Sequence, residues 1–229
     1  MNKKSLINIV LVVCTLGLMY ACFMSIYSDI AFDEEKEIRE NAVKARLMQI
    51  RDAEESFKKA NGHFCSTLDS LIDFVKNGKT VDKVIKEGEL SDDQLEAGMT
   101  EREAILKGII KRDTIWIKAS EALNISCPDS LKYVPVGREG ALIQLNLADR
   151  VNEKTYEMET LIEFRASLDD YMYGVAEKRI RNMKTDLKKR GKNRADLFDE
   201  AGDDYDGEWY GLRMGDLKDA SNKMAGNWD

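Results

Sequence analysis

Few residues in this chain have the types and spacing that chemistry needs. The densest candidate is the run Asp199-Glu200-Ala201-Gly202-Asp203-Asp204-Tyr205-Asp206-Gly207-Glu208, where carboxylates close in sequence are interrupted by glycines. Hard oxygen ligands on a sharply turning chain suit Ca²⁺, and Asp199, Asp203, Asp204 and Asp206 are the candidate ligands. Their spacing departs from the twelve-residue calcium loop, so the competing expectation is a charge-rich loop kept in solution. The basic run Lys188-Lys189-Arg190-Gly191-Lys192-Asn193-Arg194 sits just before the acidic one. Opposite charges this close neutralise one another locally, which argues against a nucleic-acid patch.

The thiols and the single histidine come next. Cys14 and Cys22 fall in an apolar segment and act there as small apolar residues. Cys65 and Cys127 lie in the polar body. In an oxidising compartment they could close a disulfide loop of about 60 residues, adding a few kcal/mol; the alternative is two unpaired thiols. His63 follows Gly62 at a helix end, where it completes a cap rather than serving as a base or a metal ligand. There is no Gly-rich phosphate loop, no Gly-x-Ser-x-Gly and no Cys-x-x-Cys. The expectation is a non-enzymatic protein, with no small-molecule substrate and no cofactor beyond the candidate calcium.

The element that must position all of these is Leu6 to Tyr27, LINIVLVVCTLGLMYACFMSIY, which contains no charged residue. As a helix it reaches about 33 Å, enough to cross a hydrocarbon core of about 30 Å. Lys3 and Lys4 precede it, and Asp29, Asp33, Glu34, Glu35 and Glu37 follow. Positive flanks stay in the cytoplasm, so residues 1–5 read as a cytoplasmic leader and 6–28 as a transmembrane anchor. In a Gram-negative bacterium that would put the body in the periplasm, anchored to the inner membrane. A competing reading is a lipoprotein signal ending at Ala21-Cys22, with Cys22 lipidated. The apolar run continues through Phe23, Met24, Ile26 and Tyr27, whereas a cleavage site normally ends it.

The chain has 229 residues, 34% of them charged and 43% hydrophobic, with two prolines. About 200 residues beyond the anchor suffice for one good-sized domain. The net charge is −7, and all of the acidic excess lies beyond the anchor. Such an exterior repels phosphate backbones and excludes nucleic acid as a partner.

Residues 29–62 read as an amphipathic stalk helix. Ile38, Val43, Leu47, Ile50, Ala53 and Phe57 form one stripe at spacings of mostly three or four, and Asn61-Gly62 stops it. Anchor and stalk are expected to form one helix of about 55 residues, whose stripe packs on its own body or on a second copy. Thr67 opens a second helix ending at Asn77-Gly78, residues 79–99 read as loose, and Thr100 with Glu103 fits a capping box. Strands are expected at Thr114–Lys118, Leu131–Val136, Ala141–Ala148, residues 156–165 and Trp209–Met214, with Gly137-Arg138-Glu139-Gly140 as a hairpin turn. In residues 156–165, Tyr156, Met158, Thr160, Ile162 and Phe164 would form the buried face and Glu157, Glu159, Leu161, Glu163 and Arg165 the wet one. Ser167 and Asp170 would cap a helix running to Leu187, residues 188–207 would be a solvated insertion, and Asp216 would cap a last helical turn. The fold class is α+β, with residues 63–229 as the periplasmic domain, closed by an antiparallel sheet of four or five strands. Trp228 is expected to pack on the domain or to be offered to a partner.

The stretch Arg51-Asp52-Ala53-Glu54-Glu55-Ser56-Phe57-Lys58-Lys59-Ala60-Asn61-Gly62-His63-Phe64 resembles the end of the long helix in type IV pilins and type II secretion pseudopilins, as does the layout of the N-terminal quarter. That resemblance implies a pilin-like filament subunit. The prepilin-peptidase signature is absent, because Gly17 is followed by Leu18 and an apolar run without Glu. The chain as a whole resembles an uncharacterised family of single-span envelope proteins of Gram-negative bacteria. The matching stretches are the leader and anchor, Arg51 to Lys79, Arg112-Asp113-Thr114-Ile115, Leu131-Lys132-Tyr133-Val134-Pro135, Tyr210-Gly211-Leu212-Arg213-Met214-Gly215 and Gly226-Asn227-Trp228. The expected function is a membrane-anchored structural or assembly component of a pilus- or secretion-like envelope machine. It would act through self-association or through contacts with other envelope proteins. The lesser alternative to it and to the filament subunit is an envelope hydrolase, which needs a nucleophile beside a base in a pocket.

Overall fold

The computed structural model describes residues 3–91, 94, 98–152, 156–190, 194–198, 204–217 and 224–228. Helix α1 runs unbroken over Lys3–Asn61, 59 residues and about 88 Å. Its apolar half from Leu11 is long enough and apolar enough to cross a membrane, and none of that window is buried by the rest of the chain. Its polar half does the opposite. Val43, Leu47, Ile50 and Ala53 recur once per turn and are fully buried against the body. Gly62 ends the helix in the left-handed region at φ 84°, and its N–H donates to the Lys58 carbonyl at 2.8 Å.

Helix α2 (Leu68–Asn77) starts where Thr67 caps it, the Thr67 hydroxyl accepting from the Ser70 N–H at 3.2 Å. Strand β1 (Lys79–Glu87) pairs antiparallel with β2 (Lys111–Lys118), Thr80 opposite Ile117. Between them α3 (Glu101–Leu106) opens with the expected reciprocal cap. The Glu103 N–H donates to Thr100 Oγ1 at 3.3 Å, and the Thr100 N–H donates to Glu103 Oε2 at 3.2 Å. After α4 (Ala119–Leu123) and a 3₁₀ turn (Pro128–Lys132) come β3 (Gln144–Val151), β4 (Met158–Ser167), α5 (Leu168–Tyr171) and α6 (Glu177–Lys189). The chain closes with β5 (Arg194–Phe198), β6 (Asp204–Glu208) and β7 (Gly211–Gly215). The class is α+β, as the sequence implies.

One sheet of four or five strands is not what forms. Among the described residues the strands make three separate antiparallel sheets, ordered β1-β2, β3-β4-β7 and β5-β6. Residues 79–99, expected to be loose, contain β1, because its partner lies beyond α3 and the lone strand Lys-Thr-Val-Asp-Lys-Val-Ile-Lys-Glu gives little local signal. Leu131–Val136 is not a strand. Pro128 starts a 3₁₀ turn that buries Leu131, and only Tyr133 bridges Leu142.

The simple alternation expected over 156–165 also fails. Tyr156 is 84% exposed and Met158 is exposed, whereas Glu163 and Arg165 are buried along with Ile162 and Phe164. Strand β4 is central, with β3 on one side and β7 on the other, and its second half is covered on both faces. The two charges survive burial by pairing with each other, and Arg213 reaches the other Glu163 oxygen at 3.3 Å. The helix expected from Ser167 is split into α5 and α6 by a turn with Gly174 at φ 80°, and Ser167 makes no side-chain cap bond. Residues 188–207, expected as a solvated insertion, carry the end of α6 and the β5-β6 pair, which joins neither of the other sheets. The last helical turn expected after Asp216 falls on residues 218–223, outside the described residues.

Candidate membrane-proximal site

Helix α6 is tied to α1 at its start by contacts between residues far apart in sequence. At its start, Arg179 Nη1 donates to the Ser28 carbonyl at 2.6 Å, and Nη2 donates to Ser28 Oγ at 2.8 Å. The same nitrogen lies 2.6 Å from Asp29 Oδ1, and the guanidinium sits 5.4 Å from the Phe32 ring centre. Further along, Met183, Asp186, Leu187 and Arg190 share a cleft of about 330 Å³ with Lys36 and Glu40 of α1. Later α6 residues thus face the same cleft as later α1 residues, so the two helices run in the same direction. The turn before α6 is tied in as well. Arg39 Nη1 donates to the carbonyls of Tyr171 at 3.0 Å and Tyr173 at 2.9 Å, while its Nε donates to Glu35 at 2.6 Å.

These contacts change the meaning of residues 29–62. They are not a free stalk, because the body already grips α1 at Ser28, one residue beyond the apolar run.

The other side of α6 faces an open cleft of about 890 Å³. Its charged lining is Arg138, Arg181, Lys184, Asp169, Asp170 and Glu177, three of each sign, over a floor that includes Met172, Val175 and Ile180. Lys184 pairs with Asp169 at 2.7 Å and Arg138 with Asp170 at 3.4 Å. Arg138 also lies 4.9 Å from the Tyr173 ring centre. Arg181 and Glu177 complete no ion pair among the described residues. Gly137 makes this arrangement possible. At φ 94°, a Cβ there would meet the Asp170 carbonyl oxygen at 2.1 Å, so only glycine lets the Arg138 N–H reach that carbonyl at 2.8 Å.

A second buried polar point lies at the far end of α1. Glu54 is fully buried, its Oε2 accepting from the Cys65 N–H at 3.0 Å and its Oε1 without a hydrogen-bond partner. Burial pushes its carboxyl up to about 7, against the downward pull of the Cys65 N–H and of His63. Burial also pushes the Cys65 thiol up, and its Sγ donates to the Thr67 carbonyl at 3.3 Å. A raised thiol has little thiolate character, so Cys65 is poorly suited to nucleophilic attack. At Glu163 burial likewise pushes the carboxyl up, with Arg165 and then Arg213 pulling it back.

The residues singled out from sequence are scattered. Val43, Leu47 and Ile50, expected to pack on the body or on a second copy, are fully buried against the chain's own body. Phe57 packs edge-on against Phe74, ring centres 5.1 Å apart. Ile38 does not belong to the buried stripe and is 64% exposed. Trp228 packs on the core and has Lys44 Nζ 5.8 Å from its ring centre. Cys65 is a buried free thiol and Cys127 an exposed one. His63 is exposed beside the helix end, its Nδ1 2.9 Å from the Phe64 carbonyl oxygen.

Of the candidate calcium ligands, Asp199 and Asp203 lie outside the described residues, and Asp204 and Asp206 fall on β6, opposite Phe198 and Asp196. Among the described residues no cluster of His, Cys, Asp or Glu could hold a metal ion. Sequence reasoning missed Arg39 and Arg179, since nothing local distinguishes either from any surface arginine.

Comparison with protein-family models, with curated proteins and with solved structures gives no match to this chain.

Proposed function

We propose that this chain is a single-pass inner-membrane protein of a Gram-negative envelope, with residues 1–5 in the cytoplasm and the body in the periplasm. It serves there as a non-enzymatic structural or assembly component of a pilus- or secretion-like machine. The observation that carries this reading is the division of α1. Its first half is apolar and covered by no part of the chain, while its second half is locked into a folded body. Lys3 and Lys4 before the apolar run and the acidic residues after it support the orientation.

With the α1 stripe used internally, contacts to other envelope proteins fall to side chains left outside. The β3-β4 hairpin end offers Val151, Tyr156 and Met158, all exposed, and Val151 and Met158 are register partners. A photo-crosslinker at Tyr156 in intact cells tests the reading. An adduct with another envelope protein or a second copy supports it; a body reachable by protease only from the cytosolic side overturns it.

The unbroken α1 with its packed outer half favours a second reading, a pilin-like filament subunit. Co-expression with a prepilin peptidase separates the two, since a filament subunit is shortened and leaves the membrane.

A further inference from the structure

We infer that the open cleft beside α6 binds the headgroup of an aminophospholipid from the leaflet on the side of the folded body. The inference rests on the membrane-spanning reading of α1. If the apolar run ends at the hydrocarbon boundary, Ser28 lies in the headgroup layer, which is about 5–8 Å deep. Arg179 fixes the first turn of α6 at that level through Ser28 and Asp29. Helix α6 then climbs away from the bilayer beside α1, so Glu177 and Arg181 mark the end of the cleft nearer the lipid, with Lys184 about one turn further out.

The charge of the lining selects the occupant. Three cations and three carboxylates face one space, which repels neither sign and matches a group that carries both. A phosphate diester joined to a primary ammonium is such a group. Arg181, with no ion pair among the described residues, is free to take the phosphate as a fork. Glu177, equally without one, accepts from the ammonium. A purely anionic headgroup would satisfy Arg181 but leave Glu177 uncompensated, since Asp169 and Asp170 already have Lys184 and Arg138. A quaternary ammonium would bring no N–H to Glu177.

The full chain is assembled in nanodiscs holding equal amounts of phosphatidylethanolamine, phosphatidylcholine and phosphatidylglycerol. Lipids retained on the released protein are then identified by native mass spectrometry. Phosphatidylethanolamine is expected to be enriched about threefold over the others, the scale of one solvent-exposed charge pair. Arg181→Gln and Glu177→Gln, both at exposed positions, abolish the enrichment, whereas Arg190→Gln at the far end of α6 keeps it. Retained lipid that matches the bulk, a preference for phosphatidylglycerol, or enrichment that survives both substitutions overturns the inference and leaves the anchor reading standing. A chain that does not stay in the bilayer overturns both.

Discussion

Arg179 and Ser28, 151 residues apart in sequence, are joined by two hydrogen bonds at 2.6 and 2.8 Å. The contact couples α6 of the body to the first polar residue beyond the apolar run of α1. Replacing Arg179 by Ala removes both bonds and the Asp29 pair, and leaves the partly exposed partners to water. The expected loss is about 1–2 kcal/mol, read as a lower unfolding midpoint of the full chain in detergent, with faster proteolysis near Gly174. Arg179→Lys keeps the charge but not the fork, and falls between the two. An unchanged midpoint and cleavage pattern in Arg179→Ala mean that α6 is held by other contacts.

Glu54 makes stability depend on pH. Its folded-state carboxyl is raised to about 7 by burial, so between the ordinary carboxylate range and pH 7 the folded chain holds a proton that the unfolded chain releases. The stabilisation is fully present at low pH and is lost as pH rises toward and through 7. Over that interval the group contributes about 3 kcal/mol. Glu54→Gln stays neutral throughout. It should melt close to the parent at pH 5, melt higher at pH 8 and flatten the slope between. Parallel pH profiles for the two proteins mean that Glu54 does not titrate in this window.

How much of this was legible beforehand depends on the range over which each feature is encoded. Local signals worked. Gly62, the Thr67 cap and the Thr100–Glu103 box each stand within four residues of the groups they satisfy, and each sits where the sequence puts it. The stripe from Val43 to Ala53 also held, because a helix repeats its buried face every turn. The failures are pairings over long separations. Strand β1 needs a partner beyond α3, and Glu163 and Arg165 read as a wet face until β7 brings Arg213 alongside. The membrane-proximal site is the extreme case, since Arg39 and Arg179 acquire meaning only when α5 and α6 are laid against α1.

The buried charges of β4 give a third test. Glu163 is enclosed with Arg165 and within 3.3 Å of Arg213. Glu163→Gln removes the buried carboxylate that faces Arg165, with an expected cost of about 3 kcal/mol in chemical denaturation. Arg213, partly exposed, can turn to Asp216 at 3.3 Å when Glu163 is lost, and so adds little. Arg213→Gln alone should cost no more than about 1 kcal/mol. Equal costs for the two substitutions mean that the pair is not effectively buried.

The two ends of the expected α1 stripe should behave in opposite ways. Leu47 is fully enclosed, so Leu47→Ala leaves a cavity and is expected to cost about 2–5 kcal/mol. Ile38 is 64% exposed on the same helix, and Ile38→Ala should stay within about 0.5 kcal/mol of the parent. Crosslinking reverses the order. A photoreactive residue at Ile38 can reach a neighbouring protein, whereas one at Leu47 can form adducts only within its own body. Intermolecular adducts from Leu47, together with a small cost for Leu47→Ala, mean that the body detaches from α1 in the membrane and that the stripe is an interface between chains. The Arg179–Ser28 contact would then have to open as well, and Arg179→Ala should raise the yield of those adducts.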